Sequence, residues 1–294
     1  MKKMPATEEQ IAAIIDLALA EDLGSGDVTS DILIPPELKG RASISAKEAG
    51  IIAGLEIARK VFRRVDPSTS LSILSKDGTA VKPGDKIAEV AGRVISILNA
   101  ERTALNFLQR LSGIASITAQ YTAEMHGLKT YIADTRKTTP GLRRLEKHAV
   151  STGGGRNHRL HLGDGILIKD NHLAALRATG MKLKDIVAKA KKNAPRGLKV
   201  EVEVGTVQEA MEAAEAGADI IMLDNMSTRE MRQVTKSLKG EVKIEASGGI
   251  NLTNVRQAAL TGVDFISIGA LTHSPKALDI SLEFEPDSFK LAFL

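Results

Sequence analysis

The chain has 294 residues, 43% of them hydrophobic and 26% charged, with a net charge of +4; this composition is ordinary for a soluble protein and gives no argument for disorder, and the length favours two domains. It contains no cysteine, which excludes disulfides, thiolate zinc sites and a cysteine nucleophile and fits the cytoplasm. Lys2 and Lys3 are followed by Pro5 and a polar 7–10 where a secretory signal needs an apolar run, and no window approaches the roughly 18 apolar residues of a membrane span, so no membrane role is expected.

Residues 7–20 carry Ile11, Ile14, Ile15, Ala18 and Leu19 on one helical face. Thr7 is the expected N-cap with Gln10 three residues on, and Gly24 and Gly26 close the helix. From 41 to 98 the pattern shifts to short alternating runs broken by Asp77-Gly78 and Pro83-Gly84, predicting strands and turns around a helix over 55–64. The run 81–85 also resembles the turns of biotinyl and lipoyl carriers, but no lysine sits at a modification turn. A long helix is expected over 99–125, linking the domains. Strands are expected at 130–134, 165–169, 199–204, 219–224, 242–247 and 264–268, with helices at 208–216, 229–238 and 254–260. Spacings of about 20 residues suit right-handed crossovers and a parallel sheet. Six units make an open barrel.

The charge is concentrated. Residues 136–169 hold eight Lys or Arg against two acids, which leaves the rest of the chain slightly acidic and points to a localised anionic partner. No aromatic residue lies in that block, so the stacking platforms of single-stranded nucleic acid sites are missing and a small polyanion is favoured. Arg143, Arg144 and Lys147 are read as a solvated helical turn after Pro140. Arg136, Lys137, Arg159 and Lys169 adjoin apolar strands instead, with His158 and His161 flanking Arg159.

The strand ends carry the other polar residues, and the carboxyl ends of barrel strands form the active-site rim. Glu201 and Glu203 are two apart and share a face with Lys199; Val200, Val202 and Val204 take the other, toward the helices. Buried carboxylates need a cation or a donor. For Glu201 a salt-bridge ladder inside the barrel stays open beside a functional role, whereas Glu203 is read as functional. Glu203 and Asp224 suit Mg²⁺ carried in by a pyrophosphate. Ser247-Gly248-Gly249 and Gly269-Ala270 supply small residues at strand ends where backbone N–H groups can approach a phosphate.

The stretches AEDLGSGDVTS (20–30), ERTALNFLQRLSGIAS (101–116), DTRKTTPGLRRLEKHAV (134–150), GGGRNHRLHLGDGILIKDNH (153–172), EVEV (201–204), LDNMS (223–227), EASGGI (245–250) and IGALTHS (268–274) together resemble the quinolinate phosphoribosyltransferases. The resemblance implies a type II phosphoribosyltransferase fold, an N-terminal α/β sandwich (1–112, with the tail 275–294 packed back on it) and an open six-stranded α/β barrel (113–274). It implies that Thr135, Arg136, His158, Arg159 and Lys169, with Lys137, bind quinolinate, and that Arg102 reaches in from a neighbouring subunit of a homodimer or a trimer of dimers. Lys137, Lys169, Glu203, Asp224, Ser247, Gly248, Gly249, Ile268, Gly269, Ala270 and His273 would line the phosphoribosyl pyrophosphate side, with Mg²⁺ as cofactor. Lys137, Lys169, Glu203 and Asp224 are the implied catalytic set. The tail from Pro286 departs from the pattern, and its Phe289, Leu291 and Phe293 receive no assignment.

The implied reaction joins the pyridine nitrogen to C1 of the ribose, expels pyrophosphate and then loses CO₂, yielding nicotinate mononucleotide. Three other readings stay open: a relative using a monocarboxylate such as nicotinate, a Schiff-base aldolase built on Lys169, and a non-catalytic polyanion-binding protein.

Overall fold

The computed structural model describes residues 7–238 and 240–291; Lys2, Lys3, Pro5 and Phe293 lie outside them. In chain order, α1 (Glu8–Leu23) and α2 (Val28–Leu33) lead into β1 (Leu38–Ala46), β2 (Gly50–Ile51), α3 (Leu55–Val65), β3 (Ser70–Ile73), β4 (Ala80–Val81) and β5 (Lys86–Arg93). Then come α4 (Val94–Ala123), β6 (Tyr131–Ala133), α5 (Arg143–Thr152), β7 (Ile166–Ile168), α6 (Asp170–Arg177), α7 (Leu183–Asn193), β8 (Val200–Val204) and α8 (Val207–Glu215). The chain continues through β9 (Ile220–Asp224), α9 (Thr228–Ser237), β10 (Lys243–Ser247), α10 (Val255–Ala259), β11 (Phe265–Ser267), α11 (Ala270–His273), β12 (Ile280–Phe284) and β13 (Lys290–Leu291). It divides into two compact units: 1–119, 138–154 and 272–294; and 120–137 and 155–271.

In the first unit an antiparallel sheet runs β12-β1-β5-β3, with β13 also paired to β1. The strand period of two buries Ala42, Ile44 and Ala46 of β1 almost completely, and Ala42 lies opposite both Val90 and Phe284. Helix α3 packs on β3 and buries Ile57, Ala58, Val61 and Phe62. Thr7 caps α1 with Gln10 in a capping box, as expected. The tail finds its place on this sheet: the Phe289 ring sits 5.5 Å from Phe284, and Leu291 pairs with Leu38.

The second unit has the expected parallel sheet, in the order β6-β11-β10-β9-β8-β7. All six strands fall where the sequence places them. Each is covered by helices on one face and lines the barrel interior with the other, which is why Val200, Val202 and Val204 are buried alongside Glu201. Between β7 and β8 the sequence reading has no helix, and the structure has two. Leu183, Ile186 and Val187 bury one narrow stripe of α7, too thin to stand out among five lysines and an aspartate over 182–192.

Two other expectations are corrected. Lys147 is not on a solvated turn: it is 1% exposed, on the inner face of α5 between Glu146 and Ala149. Glu146, also fully buried, accepts from Arg110 Nη2 at 2.8 Å and from the Thr139 N–H at 3.1 Å. Lys199 shares the inward register of Glu201, yet its side chain is 71% exposed and pairs with Asp219 at 3.6 Å, because it precedes β8 and lies beyond the barrel's cover.

Candidate active site

Three groups of polar side chains in the second unit follow from strand register. The first lies at the carboxyl ends. Glu203, half-buried on β8, has Lys169 Nζ 3.7 Å away. Burial raises its pKa, as do the carboxylates of Asp224 and Asp170, while Lys169 opposes them. Two mutually repelling carboxylates of hard oxygen donors make a set that fits a divalent cation such as Mg²⁺. Next to Asp224, Asn225 takes a left-handed backbone (φ 54°), donates from Nδ2 to Asp224 Oδ2 at 2.8 Å and from its N–H to the Ser247 carbonyl at 3.0 Å. Position 248 must be glycine, because φ is +81° and a Cβ would stand 2.5–2.8 Å from Asn225. The ends of β9 and β10 are thereby drawn together, placing Asp224 and Ser247 side by side in register.

The second group is a pair of arginines. The segment after Gly155 runs along the open edge of β6: the Arg156 N–H bonds the Ile132 carbonyl at 2.8 Å, and the Asp134 N–H bonds the Arg156 carbonyl at 3.1 Å. Asp134, fully buried, accepts the His158 N–H at 2.8 Å. Arg159 then donates from Nη1 to the Gly165 carbonyl at 3.0 Å, next to β7. Burial first, and Arg136 beside it, depress the Arg159 pKa; Glu201, Glu245 and Asp164 act the other way. The Nε donors of both Arg136 and Arg159 are buried without an acceptor, a costly arrangement that a carboxylate ligand able to reach them would relieve.

The third group is the His158 ring, whose Nε2 lies 3.3 Å from Glu201 Oε2 and 3.2 Å from Glu245 Oε2. Glu201 is 3% exposed and Glu245 0%. Against the opposing effect of burial, the two carboxylates raise the ring's pKa. The Arg159 N–H, however, points at Nδ1 from 2.8 Å, and a ring protonated on both nitrogens would meet that donor with another. We therefore place the shared proton on Glu245, whose pKa burial and the neighbouring Glu201 push up to about 7. A cavity of about 360 Å³ opens beside this cluster toward the amino ends of the strands, lined by Tyr131, Phe265, Arg159, Lys199 and Glu201 among others.

Two family models match the chain, the quinolinate phosphoribosyl transferase N-terminal domain over residues 27–112 and its C-terminal domain over 114–283. The chain belongs to the quinolinate phosphoribosyltransferase family. A probable nicotinate-nucleotide pyrophosphorylase [carboxylating] of Bacillus subtilis (strain 168) is 42% identical over 93% of this chain and 93% of its own. A mitochondrial quinolinate phosphoribosyltransferase [decarboxylating] of Nicotiana tabacum is 41% identical over 94% of this chain and 83% of its own. The crystal structure of NadC from Streptococcus pyogenes superposes with a TM-score of 0.89 at 43% identity, covering 96% of this chain and all of that one.

The quinolinate phosphoribosyltransferase residues anticipated from sequence are not all alike in this chain. Lys169, Glu203 and Asp224 form one group, Arg136 and Arg159 another. Lys137 is exposed, with its N–H on Thr135 Oγ1 at 3.0 Å. Ser247, Gly248, Gly269 and Ala270 are half-buried at strand ends and Gly249 is exposed. Ile268 is buried, and its N–H bonds the Ala133 carbonyl at 2.9 Å. Arg102, exposed on α4, and His273, whose Nδ1 lies 2.5 Å from Ser274 Oγ, belong to the first unit. Glu245 escaped the sequence reading, although Lys243, Glu245 and Ser247 alternate just as Lys199, Glu201 and Glu203 do.

Proposed function

We infer that the chain joins quinolinate to phosphoribosyl pyrophosphate and releases pyrophosphate and CO₂, forming nicotinate mononucleotide for NAD biosynthesis. The observation that carries the chemistry is the arginine pair: two guanidiniums, each with a buried Nε donor lacking an acceptor, held close enough that Arg136 depresses the Arg159 pKa. A ring bearing two carboxylates supplies the opposite charge twice; nicotinate supplies it once.

Arg136 and Arg159 bind and orient the dicarboxylate, Thr135 adjoins Arg136 in the chain, and Lys169, which follows β7, and Lys137 add positive charge for the two anionic substrates. Glu203 and Asp224 hold the phosphoribosyl side and are the residues that would hold Mg²⁺, which when bound offsets charge developing on the departing pyrophosphate. Lys169, paired with Glu203, adds positive charge there. The ring nitrogen attacks C1 as the C1–O bond to pyrophosphate breaks. Quaternised, that nitrogen accepts the electron pair left at C2 when the adjacent carboxylate departs as CO₂, and C2 then takes a proton. Orienting two anions that repel each other is the protein's main contribution. The cysteine-free composition supports the cytoplasm as its compartment, and an exposed Arg102 together with exposed Leu17, Val28, Ile32 and Leu33 supports assembly at least to a homodimer.

The test is acceptor choice. With phosphoribosyl pyrophosphate and Mg²⁺, quinolinate should give nicotinate mononucleotide with a kcat/KM at least about 100-fold above that for nicotinate, the worth of one to two charge-assisted hydrogen bonds. Equal use of nicotinate would favour the monocarboxylate reading.

A further inference from the structure

The barrel is open between β6 and β7, and the segment 156–159 spans that gap. Its backbone bonds β6 through Ile132 and Asp134, and the Arg159 side chain reaches the Gly165 carbonyl at the start of β7. Between these two anchors the His158 side chain crosses the interior to strands β8 and β10, where Glu201 and Glu245 take the single Nε2 at 3.3 and 3.2 Å. The Arg159 N–H, 2.8 Å from Nδ1, then fixes the next residue relative to the ring. Both ring nitrogens are thus engaged within the protein, and the next side chain in the segment is one of the paired arginines.

We propose that Glu245, together with Glu201, is a positioning residue for quinolinate: the two buried carboxyl groups clamp the His158 ring, and the clamped ring sets Arg159 beside Arg136 before substrate arrives. Buried at the middle of β10 with no substrate role of its own, Glu245 is a costly residue if it serves only the fold, since well-packed apolar replacements of buried polar groups are commonly neutral or stabilising. Glu201 keeps its second oxygen, Oε1, buried without a hydrogen-bond partner, and Glu245 has only the Ser267 hydroxyl beside the shared histidine, so stability alone does not explain them.

The proposal rests on the quinolinate reaction above and is separable from it, because the wild-type enzyme tests the reaction and the variants test the clamp. Glu245→Leu fills similar volume without an acceptor, while Glu245→Gln keeps an acceptor for Nε2–H. The leucine variant should fold with a Tm at or above that of the wild type, yet raise KM for quinolinate about fivefold or more, roughly the worth of one buried hydrogen bond. KM for phosphoribosyl pyrophosphate should stay within about twofold, because Lys169, Glu203 and Asp224 are not part of the clamp. The glutamine variant should restore most of the quinolinate KM. A leucine variant with wild-type quinolinate KM, or with both KM values raised equally, overturns the proposal, as does a glutamine variant no better than leucine. If the leucine variant does not fold, His158→Phe and His158→Gln carry the same comparison: loss of quinolinate binding in Phe with rescue in Gln supports the clamp, and equal behaviour of the two overturns it.

Discussion

Arg136 separates the two substrates most sharply at the level of single side chains. Arg136→Ala should weaken quinolinate binding by roughly 1.5–3 kcal/mol, about 10- to 150-fold, from the loss of a charge-assisted pair. Titration calorimetry with each ligand should show a much smaller loss for phosphoribosyl pyrophosphate; equal losses would contradict the assignment. Glu245 has a second signature, in pH. Its folded pKa is raised to about 7 from an unfolded value near 4.5, so its contribution to stability is complete below the unfolded value and is lost as pH rises through about 7. Thermal melts from pH 4.5 to 7.5 should show a decline in the wild type that flattens in Glu245→Gln, and an unchanged slope would place the proton elsewhere. The carboxylates of β8 were legible in the sequence because a period of two separates Glu201 and Glu203 from the valines. Glu245 obeys the same rule but stands among Ile244, Ala246 and Ser247 without a second acid to draw notice. Lys147 was hidden for the opposite reason, since a run of Arg143, Arg144, Glu146 and Lys147 looks solvated until Arg110 is seen to pair with Glu146.

At the level of elements, the parallel strands were all legible because each is a short run rich in apolar residues followed by polar residues or glycine. The helices between β7 and β8 were not, because α7 buries so narrow a stripe. The linking helix α4 begins at Val94 rather than 99, directly after β5, since no glycine or proline separates the two elements. Turns are where glycine identity decides the geometry. Gly248→Ala would force a Cβ within 2.5–2.8 Å of Asn225 at a φ of +81°, which should cost about 1–3 kcal/mol. A lowered Tm together with weaker phosphoribosyl pyrophosphate binding is expected, because Asp224 moves with Asn225; a variant as stable as the wild type would show that the turn relaxes freely. In the first unit the buried Glu146 gathers α4, α5 and the Thr139 turn through Arg110, whose Nη2 also bonds the Thr272 carbonyl at 2.6 Å. That network joins three segments distant in sequence, and no local pattern announces it.

For the molecule as a whole, the separation of charge is the organising fact. A basic block between 136 and 169 sits in a chain otherwise slightly acidic, and its members divide between the buried Lys147 and Arg136, Arg159 and Lys169, which we propose bind the anionic substrates. If Arg102 acts across a subunit boundary as proposed, mixing inactive Arg102→Ala with inactive Lys169→Ala protein under exchanging conditions should regain about a quarter of the wild-type activity by random pairing of subunits; no recovery would place Arg102 in its own subunit's site. The central claim is that quinolinate loses its 2-carboxylate as it gains the ribose. The most direct measurement uses quinolinate labelled at that carboxylate, with phosphoribosyl pyrophosphate and Mg²⁺, and follows label released as CO₂ against nicotinate mononucleotide formed. One CO₂ for each nucleotide is expected, and a nucleotide that keeps the label, or no release at all, would contradict it.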